Sequence, residues 1–205
     1  MYWYEEEVER LEKEIAAVTY EPKLVFYGSS TIRLWDSLQE DFKRYDPMNL
    51  GFGGSTLEAC VYFFKRLMRS LHPKYLIIYA GDNDLGDGKT PAEVHGYFVE
   101  LCNRINKCFG NLPLSYVSIK PSPSRWQING AIQKANYLIK NTIEMRPNMH
   151  FVDVYSKMLG DDGRPVVSYY DADGLHLSEA GYEVWRAVLL THISLIVDMG
   201  LISAA

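Results

Sequence analysis

With 205 residues, the chain has the length of one domain and enough material to bury a substantial core. Its 47% hydrophobic and 23% charged content is that of an ordinary soluble globular protein, and a formal net charge of -5 gives no basic footprint for nucleic acid. No stretch reaches the roughly 18 uninterrupted apolar residues of a membrane span; the nearest, residues 188–202, is interrupted by His192 and Asp198.

The N-terminus lacks the basic start and apolar core of a secretion signal. Tyr4, Val8, Leu11, Ile15 and Val18 recur at helical spacing with charges between them, which predicts a surface helix with one docking face. That face either packs on its own domain or forms a homodimer interface; the sequence leaves both open. Cys60, Cys102 and Cys108 match no zinc spacing. Cys102 and Cys108 fall in one predicted helix and read as buried free thiols, which with the missing signal predicts a cytoplasmic location.

Short apolar runs then alternate with helical patterns. Strands are predicted at 24–27, 47–50, 75–80, 114–119 and 150–154, and helices near 34–44, 56–70, 91–109, 126–146 and 178–198. Pro91 suits the first turn of its helix, and Ser178 is a natural N-cap. Strand–helix alternation of this kind predicts an α/β sandwich, with a parallel sheet between helical layers in a single domain. In such sheets ligands bind beyond the carboxyl ends of the strands, so the loops 28–31, 51–55, 81–88 and 120–126 share one rim.

Each rim loop has a functional and a plain reading. Ser30 follows a buried-type strand in VFYGSSTI, where a hydroxyl is exposed for attack or merely caps a helix. The glycines of NLGFGGSTLEA permit close backbone approach to a ligand. As a dinucleotide site, however, the loop lacks the last glycine of G-x-G-x-x-G, and as a P-loop it lacks the lysine. Asn83 projects a side-chain amide from YAGDNDLGDG. In the same loop Asp82, Asp84 and Glu93 fall on three positions of a calcium-loop template, but the turn glycine is misplaced. Asp173 and His176 lie three apart in YYDADGLHLS, a spacing that lets a carboxylate fix an imidazole tautomer or simply cap the next helix. Arg33, Trp35, Arg125 and Tyr170 are placed to reach the rim as substrate-binding side chains, and equally suit ordinary packing.

Taken in order, Gly28-Ser29-Ser30, Gly53-Gly54-Ser55-Thr56, Gly81-Asp82-Asn83-Asp84 and Asp173-Gly174-Leu175-His176 resemble the four blocks of the SGNH (GDSL-type) hydrolase family, from about Leu24 to the C-terminal helix. One departure is visible: Ser29 stands where the family usually has aspartate. The resemblance implies a flavodoxin-like three-layer fold with a five-stranded parallel sheet, and a serine hydrolase that needs neither metal nor organic cofactor. Ser30 would be the nucleophile, and Asp173 and His176 the rest of a triad. The Ser30 N–H, Gly54 and Asn83 would form an oxyanion hole. The expected substrate is a small ester with a short acyl group, such as acetate on a carbohydrate or small alcohol. A lysophospholipase or thioesterase, and a non-catalytic binding module on the same fold, are the alternatives.

Overall fold

The computed structural model describes residues 1–198. Five parallel strands, β1 (Leu24–Gly28), β2 (Pro47–Gly51), β3 (Tyr75–Tyr79), β4 (Leu114–Val117) and β5 (Met149–Val152), form one sheet in the order β2-β1-β3-β4-β5. Every residue of β1, β3 and β4 is buried, as expected of strands covered on both faces.

Successive side chains alternate between the two faces. Val25, Tyr27, Leu76, Ile78, Leu114 and Tyr116 enter one core, with α1 (Glu5–Ala17), α4 (Leu57–Met68), α6 (Pro91–Phe109) and α7 (Asn129–Glu144). Leu24, Phe26, Tyr75, Ile77, Tyr79 and Val117 enter the other, with the short helices α2 (Ser30–Arg33) and α3 (Leu38–Asp41) and the long α8 (Glu179–Asp198). The short helix α5 (Asp82–Gly86) follows β3. The N-terminal helix packs on its own chain: Val8 and Leu11 are buried, and Glu5 and Glu12 pair with Arg66 of α4.

Local chemistry sets the boundaries. Thr90 and Glu93 form a reciprocal capping box ahead of α6, with Pro91 in its first turn. The Ser178 hydroxyl accepts from the Gly181 N–H at 3.3 Å and opens α8. The predicted fourth strand stops two residues early because the Asn136 side chain engages both the N–H and the C=O of Ile119 at 2.8 Å. The fifth stops early because the Ser118 hydroxyl takes the Val154 and Tyr155 N–H groups.

Several expectations need correcting. The helix predicted at 34–44 is present only as α3 and a 3-10 turn at Lys43–Tyr45, because residues 34–38 run through tight turns in which the Trp35 N–H donates to Ile32 O and the Leu38 N–H to Trp35 O; Trp35, Leu38, Phe42 and Tyr45 are buried all the same. Residues Pro123–Ile128 form 3-10 turns, so the helix predicted at 126–146 begins at Asn129. Cys108 is exposed, whereas Cys60 and Cys102 are buried. The tail of the apolar stretch, residues 199–202, lies outside the described residues; among the described residues no helix is long and apolar enough to cross a membrane.

One buried carboxylate makes the fold sensitive to pH. Asp84 accepts from the Leu57 N–H at 2.7 Å and the Glu58 N–H at 3.4 Å, capping α4. Burial outweighs these bonds and pushes its pKa up to about 6. The unfolded chain gives up this proton near pH 4, so stability should fall as pH rises from about 4 to about 6, by about 2–3 kcal/mol from this group. Chemical denaturation across that range should show the slope in the wild type and lose that component in Asp84→Asn.

Candidate active site

The site is assembled where the strands end. Gly28 pairs with Gly51 on one side and Tyr79 on the other, so three chain segments leave the sheet at one level. A Cβ on Gly28 would stand 1.8 Å from the Tyr79 carbonyl oxygen, and its φ is +149°, so only glycine fits. The Ser29 N–H then donates to Tyr79 O at 2.9 Å, and Ser30 starts α2 with its hydroxyl half-exposed.

The loop before α8 supplies Asp173 and His176. It is closed by the Asp171 N–H donating to His176 O, and tied to the turn after β4 by the Ser124 N–H donating to Gly174 O. The Asp173 Oδ1 atom accepts from the Leu175 and His176 N–H groups at 2.8 and 3.0 Å. Its Oδ2 lies 2.6 Å from His176 Nδ1, and His176 Nε2 lies 3.2 Å from Ser30 Oγ. The Leu175 N–H first, and the His176 ring next, hold the Asp173 carboxyl down at about 2. An ionised Asp173 accepts a hydrogen bond from Nδ1–H and so leaves Nε2 as the acceptor for the serine hydroxyl, the tautomer a general base requires.

The three N–H sources expected from the sequence are the Ser30 and Gly54 backbone groups and the Asn83 amide. Among the described residues, neither the Ser30 nor the Gly54 N–H has an acceptor. Gly54 sits at φ +66° in an exposed turn. The Asn83 side chain donates from Nδ2 to Ser55 O at 3.1 Å and accepts at Oδ1 from Arg125 at 3.0 Å. Those two partners fix the orientation of the amide and leave its second N–H unused.

Behind Asn83 lies a buried charge network that the sequence reading missed. Asp82 is 6% exposed; Lys120 (1% exposed) meets one of its oxygens at 3.0 Å and Arg125 meets the other at 2.7 Å. Burial works to raise the Asp82 pKa, but the two cations outweigh it and hold the group below the ordinary carboxylate range. Arg125 therefore grips both Asp82 and Asn83, and its guanidinium also packs over Gly86.

The remaining substrate-binding expectations change accordingly. Trp35 is buried among Phe26, Phe42 and Trp185, with its indole N–H on Asp41. Tyr170 is buried, with its hydroxyl on Pro121 O. Arg33 pairs with Glu7 at 2.7 Å. The calcium-template acids are spent elsewhere: Asp82 on Lys120 and Arg125, Asp84 on α4, and Glu93 on Thr90. Asp82→Asn should cost about 3–5 kcal/mol in urea unfolding, because it leaves Lys120 buried opposite a neutral group. A loss below about 1 kcal/mol would mean that the network is screened by solvent.

Comparison with known proteins agrees with this architecture. Residues 16–184 match the model of the GDSL-like Lipase/Acylhydrolase family. Platelet-activating factor acetylhydrolase IB subunit alpha2 of Gallus gallus is 29% identical over 175 residues, spanning 79% of this chain and 72% of that protein. A GDSL-like lipase of Bacteroides thetaiotaomicron superposes with a TM-score of 0.76 at 23% identity, covering 91% of this chain and 97% of that one. A Clostridium thermocellum family 3 carbohydrate esterase does so with a TM-score of 0.70 at 17% identity, covering 88% and 98%. The parallel sheet, its carboxyl-edge loops and the match over most of the chain converge: this chain belongs to the GDSL-like lipase/acylhydrolase family, whose members hydrolyse ester bonds.

Proposed function

We propose that the chain is a serine esterase for short acyl esters, working through an acyl-enzyme. The observation that carries this reading is the unbroken line from Asp173 through His176 to Ser30, with contacts of 2.6 and 3.2 Å. His176 Nε2 takes the Ser30 proton as Oγ bonds to the ester carbonyl carbon. The carbonyl oxygen gains the negative charge and meets the Ser30 N–H, the Gly54 N–H and the free N–H of Asn83. As the carbonyl re-forms, the bond to the alcohol oxygen breaks and His176 returns the proton to it. Water then repeats the sequence on the acyl-serine, releasing the acid and restoring the hydroxyl.

Two further observations favour a small acyl group. The connections after β1, β2 and β3 are short, with α2, α4 and α5 beginning at residues 30, 57 and 82, so they build no roof for a long chain. The curated relatives it resembles are named as acetylhydrolases. Trp126 lies two residues beyond Ser124, whose N–H is bonded to the loop carrying Asp173 and His176, and has the Arg164 guanidinium 4.9 Å from its ring centre; an aromatic–guanidinium pair next to that loop suits a polar alcohol such as a sugar.

Activity on p-nitrophenyl esters of increasing chain length should be highest for acetate and decline steadily. A maximum at long chains would favour a lysophospholipase-type or thioesterase-type hydrolase. Ser30→Ala should abolish turnover while the fold is kept; if Ser29→Ala did so instead, the nucleophile would be Ser29. Asn83→Ala should lower kcat by about 10²–10³ with little change in KM. An effect confined to KM would remove Asn83 from the oxyanion hole.

A further inference from the structure

Residues 4–10 precede the family match, which begins at residue 16. Yet three of their side chains end on the last residue of β2 and the loop that follows it. The Tyr4 hydroxyl donates to Gly54 O at 3.1 Å. Glu7 Oε2 accepts from the Gly53 N–H at 3.1 Å. Arg10 donates to Gly51 O at 3.1 Å and pairs with Glu7 at 3.3 Å.

The loop needs such tethers. Nothing lies within 4 Å of where a Gly54 Cβ would stand, so no packing holds that residue. Two consecutive glycines also leave the peptide between them free to rotate. The Gly54 N–H belongs to that peptide. It is flanked by the two groups the N-terminal segment holds, the Gly53 N–H on one side and the Gly54 carbonyl on the other. The same Glu7 oxygen also binds Arg33 Nε at 2.7 Å. Arg33 ends α2, the helix that Ser30 begins. One carboxylate thus ties the glycine turn to the helix carrying the serine.

Both tethers are well supported. Tyr4 is buried and packs edge-on against Phe52 at 5.7 Å and Phe63 at 6.3 Å, which aims its hydroxyl. Burial works to raise the Glu7 pKa, but the Gly53 N–H, Arg33 and Arg10 outweigh it and keep the carboxyl below its ordinary value, hence ionised and accepting at neutral pH.

We propose that Tyr4 and Glu7 are positioning residues for ester hydrolysis, clamping the Gly53–Gly54 turn so that the Gly54 N–H stays aimed at the forming oxyanion. This rests on the reading of Gly54 as an oxyanion donor. The clamp is made by the N-terminal helix, outside the span matched to the family.

The test is steady-state hydrolysis of p-nitrophenyl acetate by point variants, with melting temperature as the folding control. Tyr4→Phe keeps the ring packing and removes one bond; it should lower kcat about fivefold with KM unchanged. Glu7→Ala should lower kcat about tenfold, and Glu7→Gln, which retains an oxygen acceptor for Gly53, should restore it to within about threefold of wild type. Glu12→Gln, on the same helix but paired with Arg66, should leave kcat at the wild-type value. The clamp is overturned if Tyr4→Phe and Glu7→Ala both keep kcat within about twofold of wild type while Asn83→Ala, run alongside, loses about 10²–10³. It is likewise overturned if Glu12→Gln loses as much kcat as Glu7→Ala, since the helix would then act through stability alone. If Asn83→Ala is also silent, the oxyanion reading fails and takes the clamp with it.

Discussion

The structure turns on a close approach at Gly28. Parallel strands must leave the sheet in a common direction, and Gly28 pairs with Gly51 and Tyr79 at the level where they do. Any side chain there would collide with the Tyr79 carbonyl. Because the backbone fits only as glycine, Ser30 starts its helix directly over the sheet edge, next to the glycine turn and the β3 loop. The loop before α8 then closes onto it, so that a serine and a histidine 146 residues apart in sequence meet at 3.2 Å. Topology supplies the convergence, and local chemistry refines it.

That refinement relies on fixed partners more than on exposed charge. The carboxylate beside His176, Asp173, is steadied mainly by a backbone N–H and remains near solvent. The carboxylate behind Asn83 does the opposite: Asp82 is sealed between Lys120 and Arg125, where solvent screens little. Arg125 links that network to the Asn83 amide, and Tyr4 and Glu7 hold the glycine turn across from it. A preorganised N–H stabilises developing charge without reorganising during the reaction, and fixed partners of this kind are what preorganise it.

How much of this the sequence displayed depends on the range of each interaction. The five strands, the long helices and the four blocks were legible because apolar periodicity and short motifs are local. Lys120 was not recognisable as the partner of Asp82, since 38 residues separate them and each alone looks like a loop charge. Trp35 and Tyr170 looked like rim aromatics because composition cannot tell a loop side chain that faces a ligand from one that turns into the core. Glu7 lay on the polar side of an amphipathic helix and read as solvated. Its real partners, Gly53 and Arg33, are fixed only by how α1 docks on the sheet. The helix expected at 34–44 is cut to α3 by tight turns at residues 34–38, whereas Trp35, Leu38, Phe42 and Tyr45, which recur at helical spacing, are all buried as that pattern predicts.

The central claim is that His176 activates Ser30. Its most direct test is covalent labelling with a fluorophosphonate, followed by peptide mapping of the modified residue. The account predicts a single phosphonylated serine at Ser30, with labelling that slows sharply in His176→Ala. Modification at Ser29 or elsewhere, or a rate indifferent to His176, would contradict it.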